Sequence, residues 1–148
     1  MKNRRKLVYI AAVAILATGI FFLFSGSGSS SDVKKNLSPE SVVEEFTSAM
    51  KSGNFDKAEK LCVADSMNVY LDSYKQVWNA LSQENEEAIA EVAKILAEVK
   101  LRINGVEELD GVCMVRYTLE MDGLLKKHQA ALRMEGGEWK VVKITDKN

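Results

Sequence analysis

An uncharged apolar run from Leu7 to Phe24 follows directly after four basic residues, Lys2, Arg4, Arg5 and Lys6. As a helix, this run would span about 27 Å, close to the ~30 Å hydrocarbon core of a bilayer. It has no polar face, so it cannot be a core helix of a small domain. The run therefore predicts a helix of transmembrane length. Since basic residues stay in the cytoplasm, everything after Phe24 is expected outside it.

Two interpretations of this leader stay open. An uncleaved signal anchor suits its length, whereas a cleaved signal peptide needs small residues at the cut, which Ser25 and Ser27 could supply without an Ala-x-Ala triplet. No cysteine lies near residues 20–30, which excludes bacterial lipid attachment there. We thus divide the chain into residues 1–24 (signal anchor or signal peptide), a flexible Ser/Gly linker (25–37) and a folded domain (38–146). The domain is expected at the cell membrane on the extracytoplasmic side, or secreted if the leader is cleaved.

Composition excludes several classes of function. The 148 residues are 47% hydrophobic and 28% charged, which suits one globular domain. Residues 32–148 carry 16 basic and 21 acidic side chains. This part therefore lacks the basic surplus that a nucleic-acid partner requires. Two cysteines and one histidine cannot fill a structural zinc site without acidic ligands, and no phosphate-binding loop or catalytic signature motif is present. We expect no metal and no cofactor.

Helical spacing dominates the first part of the domain. Ser38-Pro39-Glu40 is typical of a helix start, and Ser52-Gly53 of a helix end. Asn54 would cap a short second helix, and a third is expected from about Ser66 to Leu81. A fourth is expected from about Glu84 to Leu96, with the break between the last two left open. The apolar stripe of the third helix consists of Met67, Tyr70, Leu71, Tyr74, Val77, Trp78 and Leu81.

The second part alternates with a period of two, which indicates half-buried strands. Asp110-Gly111, Asp122-Gly123 and Gly136-Gly137 mark the turns between four strands. Helices followed by an antiparallel sheet predict an α+β domain with the helices on one face of the sheet. Inward positions on the second and third strands would be Cys113, Val115, Tyr117, Leu119, Met121, Lys126, His128, Ala130, Leu132 and Met134.

Two segments carry a resemblance to a known family. Ser38-Pro39-Glu40 with Ser52-Gly53-Asn54-Phe55-Asp56-Lys57-Ala58, and the closing Glu135-Gly136-Gly137-Glu138-Trp139-Lys140-Val141, resemble the nuclear transport factor 2-like superfamily. The similarity is to its uncharacterised, lipoprotein-like bacterial extracytoplasmic branch. It implies a cone-shaped fold in which a curved sheet of about four strands wraps a long helix. The missing lipid-attachment cysteine is a departure from that branch.

His128, the single histidine of the chain, is a candidate catalytic or ligand-binding residue. It could stand at the mouth of the cone as a general base or ligand contact, or be a partly exposed histidine at a strand end. Family members resembling ketosteroid isomerase use a carboxyl group and phenols inside the cone. Tyr70, Tyr74 and Tyr117 could supply phenols, but the inward positions contain no acid. We therefore interpret the tyrosines mainly as core, with Tyr74, Trp78, Tyr117 and His128 as candidate ligand contacts.

Cys62 and Cys113 both fall on faces assigned to the core. Outside the cytoplasm they could form a disulfide, which would stabilise the domain by about 4 kcal/mol through loop closure. The alternative is two separate buried thiols, because sequence alone does not show whether the Cα atoms come within ~7 Å.

Three functions remain possible. The first is a non-enzymatic, membrane-tethered or secreted binding domain for an unknown protein or small ligand. Lys100, Arg102, Arg116, Lys127 and Arg133 share the polar strand register and could make the outer face of the sheet basic. The second is a small enzyme, isomerase-like or hydrolase-like, with His128 as base. The third is a structural accessory that forms a homodimer through its sheet.

Overall fold

A computed structural model describes residues 36–84 and 86–147. Within these residues the chain has four helices and then four strands: α1 (Pro39–Lys51), α2 (Phe55–Lys60), α3 (Ala64–Glu84), α4 (Glu86–Ala97), β1 (Lys100–Leu109), β2 (Val112–Met121), β3 (Leu124–Glu135) and β4 (Glu138–Lys147). The strands are antiparallel in the order β1-β2-β3-β4. This confirms the predicted α+β class and four-stranded sheet. The third helix is longer than predicted at both ends. The alternation predicts the last two strands at about Lys126–Met134 and Trp139–Ile144, and in the structure both are longer at each end.

Short polar side chains set the helix boundaries. Ser38 Oγ accepts a hydrogen bond from Ser41 N at 3.2 Å, and Pro39 occupies the first helical position of α1. Gly53 ends this segment with φ of 69°, and its Cα lies so close to Trp78 that an added Cβ would be 3.4 Å from the indole ring. Asn54 Oδ1 accepts from Lys57 N at 3.2 Å and starts α2. These caps are the ones the sequence predicted.

Two-residue turns fix the register of the sheet. Asp110-Gly111, Asp122-Gly123 and Gly136-Gly137 all have positive φ at both positions, as tight hairpin turns require. The ladder is interrupted twice, at Asn104 in β1 and at Val142 in β4. One extra residue at a bulge bends the strand and increases its twist. These interruptions account for curvature in a sheet that packs around the helices.

One face of the sheet packs against the helices. All five alternating inward positions of β2 are buried, as predicted, together with Phe46 of α1, Leu71 of α3 and Leu96 of α4. Met134 was expected in the core and is instead 47% exposed. Val106, an inward position near the end of β1, is exposed as well. The described helices therefore leave this end of the sheet uncovered.

The segment between α2 and α3 is bound to the edge of β4. Val63 N donates to Val141 O at 2.8 Å, and Val141 N donates to Leu61 O at 2.9 Å. Cys62 lies directly beside Val141, Val141 pairs with Leu132, and Leu132 pairs with Cys113. Three such steps of about 4.8 Å separate the two cysteines by about 14 Å, well beyond the ~7 Å limit of a disulfide. Both cysteines are buried free thiols, so the disulfide that the sequence allowed is not formed in this structure.

No helix in the described part of the chain is both long enough and apolar enough to cross a bilayer. The predicted anchor at residues 7–24 and most of the 25–37 linker lie outside the described residues. Both therefore stay predictions.

Candidate functional site

His128 lies in a row of directly paired residues that crosses the whole sheet. Its partner on β2 is Tyr117 and its partner on β4 is Asp146, while Ile103 of β1 pairs with Tyr117. Because paired residues share a face, all four belong to the face that meets the helices. His128 is 1% exposed. The expectation of a partly exposed histidine at a strand end, or of one at an open cone mouth, is therefore wrong.

Asp146 gives His128 a charged neighbour. His128 Nδ1 lies 2.8 Å from Asp146 Oδ1. The carboxylate oxygen does not lie along the direction of the Nδ1–H bond, so the two groups are close but do not meet the geometry of a hydrogen bond. Burial lowers the pKa of His128, and the Asp146 charge opposes that effect without overcoming it. The imidazole is therefore neutral at pH 7. With the proton assigned to Nδ1, beside the carboxylate, Nε2 is left as an acceptor.

The Tyr117 ring stacks on this imidazole, with the two ring centroids 5.3 Å apart. On α3, the ring centroids of Tyr70 and Tyr74 lie 4.9 Å from each other. Burial, more than any neighbouring charge, raises the pKa of Tyr70 and of Tyr117. Both phenols therefore stay protonated at any physiological pH. They can donate hydrogen bonds but cannot act as bases.

Four polar atoms of the core are buried without a hydrogen-bond partner in the described part of the chain: His128 Nδ1 and Nε2, Tyr117 Oη and Trp78 Nε1. A buried polar group left unpaired costs about 1–3 kcal/mol. Such a group is commonly explained by strain, by a bound water or by a ligand. Of these, His128 and Tyr117 stack on each other and form a cluster with the polar groups of a binding site for a small uncharged molecule.

The interior of the cone is filled by its own side chains. Tyr74, Trp78, Tyr117 and Met121 are each less than a tenth exposed and belong to the same core as His128. A general base must come within about 3 Å of the proton it removes. With these side chains in place, His128 Nε2 faces protein and has no access from solvent. Within residues 36–84 and 86–147, no three His, Cys, Asp or Glu side chains come together as a metal site.

Asp146 is the member of this row that sequence reasoning missed. The fourth strand was expected to end at Ile144, and the inward face therefore contained no acid. The strand continues to Lys147, and two further residues place Asp146 on the same face as Ile144. Extending the alternation past Ile144 was the signal that would have found it.

The outer face of the sheet carries a second candidate site. A second directly paired row consists of Arg102, Thr118, Lys127 and Lys147, one residue from each strand. By register, three more cations share this face: Lys100, Arg116 and Lys143. Among the described residues none of these six cations forms an ion pair, whereas Arg133 and Lys140 pair with Glu135 and Glu138. We call these six cations the basic face.

Charge is divided between the two layers of the domain. Residues 36–99, which form the helices, contain 12 acidic and five basic side chains. The acids in the same register are Glu107 and Glu120, together with Glu135 and Glu138, which pair with Arg133 and Lys140. Thr118, in the middle of the face, is buried and accepts a hydrogen bond from Asn104 Nδ2. A net acidic domain thus presents a positive surface on one side.

An open cavity of about 300 Å³ lies elsewhere, at the turn between α1 and α2. It is lined by Gly53, Asn54, Phe55, Asp56, Lys75 and Asn79. Lys75 already pairs with Glu59 across the surface. No residue of the His128 row lines it, so it is separate from both candidate sites.

Neither the protein-family models nor the curated proteins contain a match to this chain. Among solved structures, the fold is similar to that of a nuclear transport factor 2-like protein of unknown function from Cytophaga hutchinsonii (15% identity, covering 78% of this chain and 95% of that one, TM-score 0.43). It is also similar to such a protein from Shewanella baltica (10%, 72% and 89%, 0.46) and to a SEC-C motif containing protein from Rhodopseudomonas palustris (16%, 75% and 80%, 0.49). At these identities the likeness concerns the fold alone. The lipoprotein-like branch stays a prediction.

Proposed function

We propose that this chain is a non-enzymatic, membrane-tethered extracytoplasmic binding domain, and that its basic face is the surface that binds an anionic partner. The leader at residues 1–24 would hold it at the membrane. The observation that carries the proposal is the division of roles between the two faces of the sheet. The inner face is filled by core side chains, whereas the outer face presents six cations that lack an ion pair within the described residues.

A cluster of cations on one face gives specificity and speed of association for a partner of opposite charge. Isolated surface cations are ordinarily solvated and contribute little. Here Lys127 and Lys147 are direct neighbours on adjacent strands, and Arg102 lies two strands away in the same row. At about 5 Å, Lys127 and Lys147 are well within the ~8 Å Debye length at physiological salt, whereas Arg102, about 10 Å from Lys127, is slightly beyond it.

The test is retention of the detergent-solubilised full chain on a sulfonate matrix at low salt and pH 7. Lys127→Glu/Lys147→Glu should elute at clearly lower salt than the unmodified protein. Lys60→Glu/Lys94→Glu, with the same change in net charge at exposed helical positions, should elute between the two. Equal elution of both double variants would overturn the basic face as the binding surface.

A small enzyme remains the second candidate, because the Asp146–His128–Tyr117 row places a neutral imidazole beside a carboxylate and a phenol. Turnover would require the helices or the β2–β3 hairpin to open and expose His128 Nε2. If any turnover is found, His128→Ala should abolish it. Unchanged turnover in that variant would remove this candidate.

Homodimerisation through the sheet, the third candidate, is disfavoured by the same charges. A two-fold dimer brings the same patch of both copies together. Two copies of the basic face would then meet cation against cation, which costs free energy at low salt. Light scattering of the detergent-solubilised chain at low and high salt distinguishes a monomer, which the repulsion favours at low salt, from a homodimer.

A further inference from the structure

The tip of the β2–β3 hairpin combines exposed apolar side chains with adjacent lysines. Leu124 is 49% exposed and Leu125 is 53% exposed, directly after the Asp122-Gly123 turn. Lys126 and Lys127 follow at once in the sequence. A solvent-exposed tip does not need two leucines for its turn geometry, which Asp and Gly already provide. Large apolar residues grouped on a surface mark an interaction site.

This tip adjoins the basic face. Leu125 pairs with Glu120, which in turn pairs with Lys100 at the start of β1. Lys127, two residues further along the same side of β3, belongs to the paired row that includes Lys147. By this register Leu125 lies on the same side of the sheet as the cations, next to Lys100 and Lys127, whereas Leu124, which pairs with Met121, lies on the opposite side at the tip. Glu120 and Asp122 are the acids at this end, and they are outnumbered by the surrounding basic residues.

Apolar side chains beside lysines and arginines are typical of segments that lie in a membrane interface. The apolar groups enter the headgroup boundary while the cations contact anionic lipids. A soluble anionic polymer would be bound by the cations alone and would leave the leucines in water. The pairing of both features favours a lipid surface.

We propose that the basic face and the β2–β3 hairpin tip dock on the anionic phospholipid headgroups of the membrane that holds the chain. This inference rests on the proposed function for the tether. The linker at residues 25–37 reaches at most about 45 Å when fully extended and about 20 Å on average. The domain is thus kept near the bilayer surface. The acidic helical layer would be repelled, which orients the sheet towards the lipid.

The experiment uses the full chain reconstituted in phosphatidylcholine vesicles, with or without about 30% phosphatidylglycerol to supply the negative surface. A membrane-impermeant, polarity-sensitive dye is attached after reconstitution to the Leu124→Cys variant. The native thiols are poor competitors, because both are buried and burial raises the pKa of Cys62 to about 11. A second labelled variant, Ala80→Cys, reports on an exposed position of α3.

We expect a blue shift of the dye at position 124 in the anionic vesicles, none in the neutral vesicles, and none at position 80 in either. Adding Lys127→Glu/Lys147→Glu should reduce the docked fraction about tenfold or more, as each cation near the surface strengthens binding several-fold. Adding Lys60→Glu/Lys94→Glu should leave it unchanged. High salt should reverse the shift.

Failure of the tether and failure of docking give different results. If alkaline carbonate extracts the chain from neutral vesicles, the tether in the proposed function is wrong. If the chain stays in the vesicles and the dye is unaffected by anionic lipid, docking is overturned. A shift produced by inorganic polyphosphate and not by anionic lipid would also overturn docking, in favour of a soluble polyanion.

Discussion

His128 Nδ1 lies 2.8 Å from Asp146 Oδ1, with the imidazole buried and the carboxylate 56% exposed. A buried neutral group on one strand is thus joined to a charged group on the next that still reaches water. The Asp146 charge favours a protonated ring, whereas desolvation disfavours it more strongly. The protonation of a buried residue therefore depends on a carboxylate that is exposed to solvent.

Acid should destabilise the domain through His128. Its pKa in the folded state is lowered, so the unfolded chain binds the proton more readily. This contribution to stability is complete above the unfolded pKa of about 6.5, and it is lost as pH falls from there towards the folded pKa. Urea unfolding at pH 7.5 and pH 5 measures the loss. In His128→Gln the loss over this interval should be smaller. An equal loss in both proteins would show that His128 does not titrate on unfolding.

Asp146→Asn provides the matching variant. It removes the charge that partly holds the proton on the ring, so the pKa of His128 should fall further. NMR titration of the single histidine in the folded protein measures this directly. A higher pKa in Asp146→Asn would contradict the assigned effect of the carboxylate.

Lys51 should be a destabilising residue at neutral pH. The side chain is fully buried at the end of α1, and burial lowers its pKa to about 5. Its Nζ donates to Leu96 O at 3.5 Å, at the end of α4. Between pH 5 and about 10 the unfolded chain holds a proton that the folded chain lacks, so stability rises with pH across this range.

Lys51→Met keeps the length of the side chain and removes the ionisable group. It should raise the free energy of unfolding at pH 7 by roughly 2–4 kcal/mol, even after the loss of the contact with Leu96 O, and should flatten the rise with pH. Lys94→Met, at an exposed position of α4, should change stability by about 0.5 kcal/mol or less. A destabilised Lys51→Met would contradict the neutral, desolvated amine.

Local rules were enough to predict the helix caps, the three hairpin turns and the buried face of β2, because each depends on residues close to one another in the sequence. Asp146 was missed because its partner is set by pairing between β3 and β4. Lys51 lies four residues after Thr47 and eight after Val43, on the same buried stripe of α1. A lysine at a helix end ordinarily extends its amine to water, so its burial depends on α4, which only the folded structure brings there.

Tyr117→Phe should stabilise the domain or leave it unchanged. Tyr117 Oη is buried and has no hydrogen-bond partner in the described part of the chain, so removing it abolishes a desolvation penalty of about 1–3 kcal/mol. The matched control is Tyr74→Phe, since the Tyr74 phenol interacts with that of Tyr70, whose ring lies 4.9 Å away, and this variant should lose about 1 kcal/mol. Thermal unfolding of the three proteins measures both. Destabilisation by Tyr117→Phe would indicate that a water or ligand occupies the cluster.

The two cysteines should remain separate thiols even in an oxidising compartment. About 14 Å of sheet lies between them, and burial raises the pKa of both, to about 11 at Cys62, so the reactive thiolate is scarce. Mass spectrometry of alkylated, non-reduced protein should find both thiols free. Alkylation should be slow in the native protein and fast in denaturant, and reducing agent should not change the unfolding midpoint. A disulfide would instead lower the mass by two hydrogen atoms and leave no thiol to alkylate in denaturant. That result would mean that β4 and the α2–α3 segment do not keep the pairing described above.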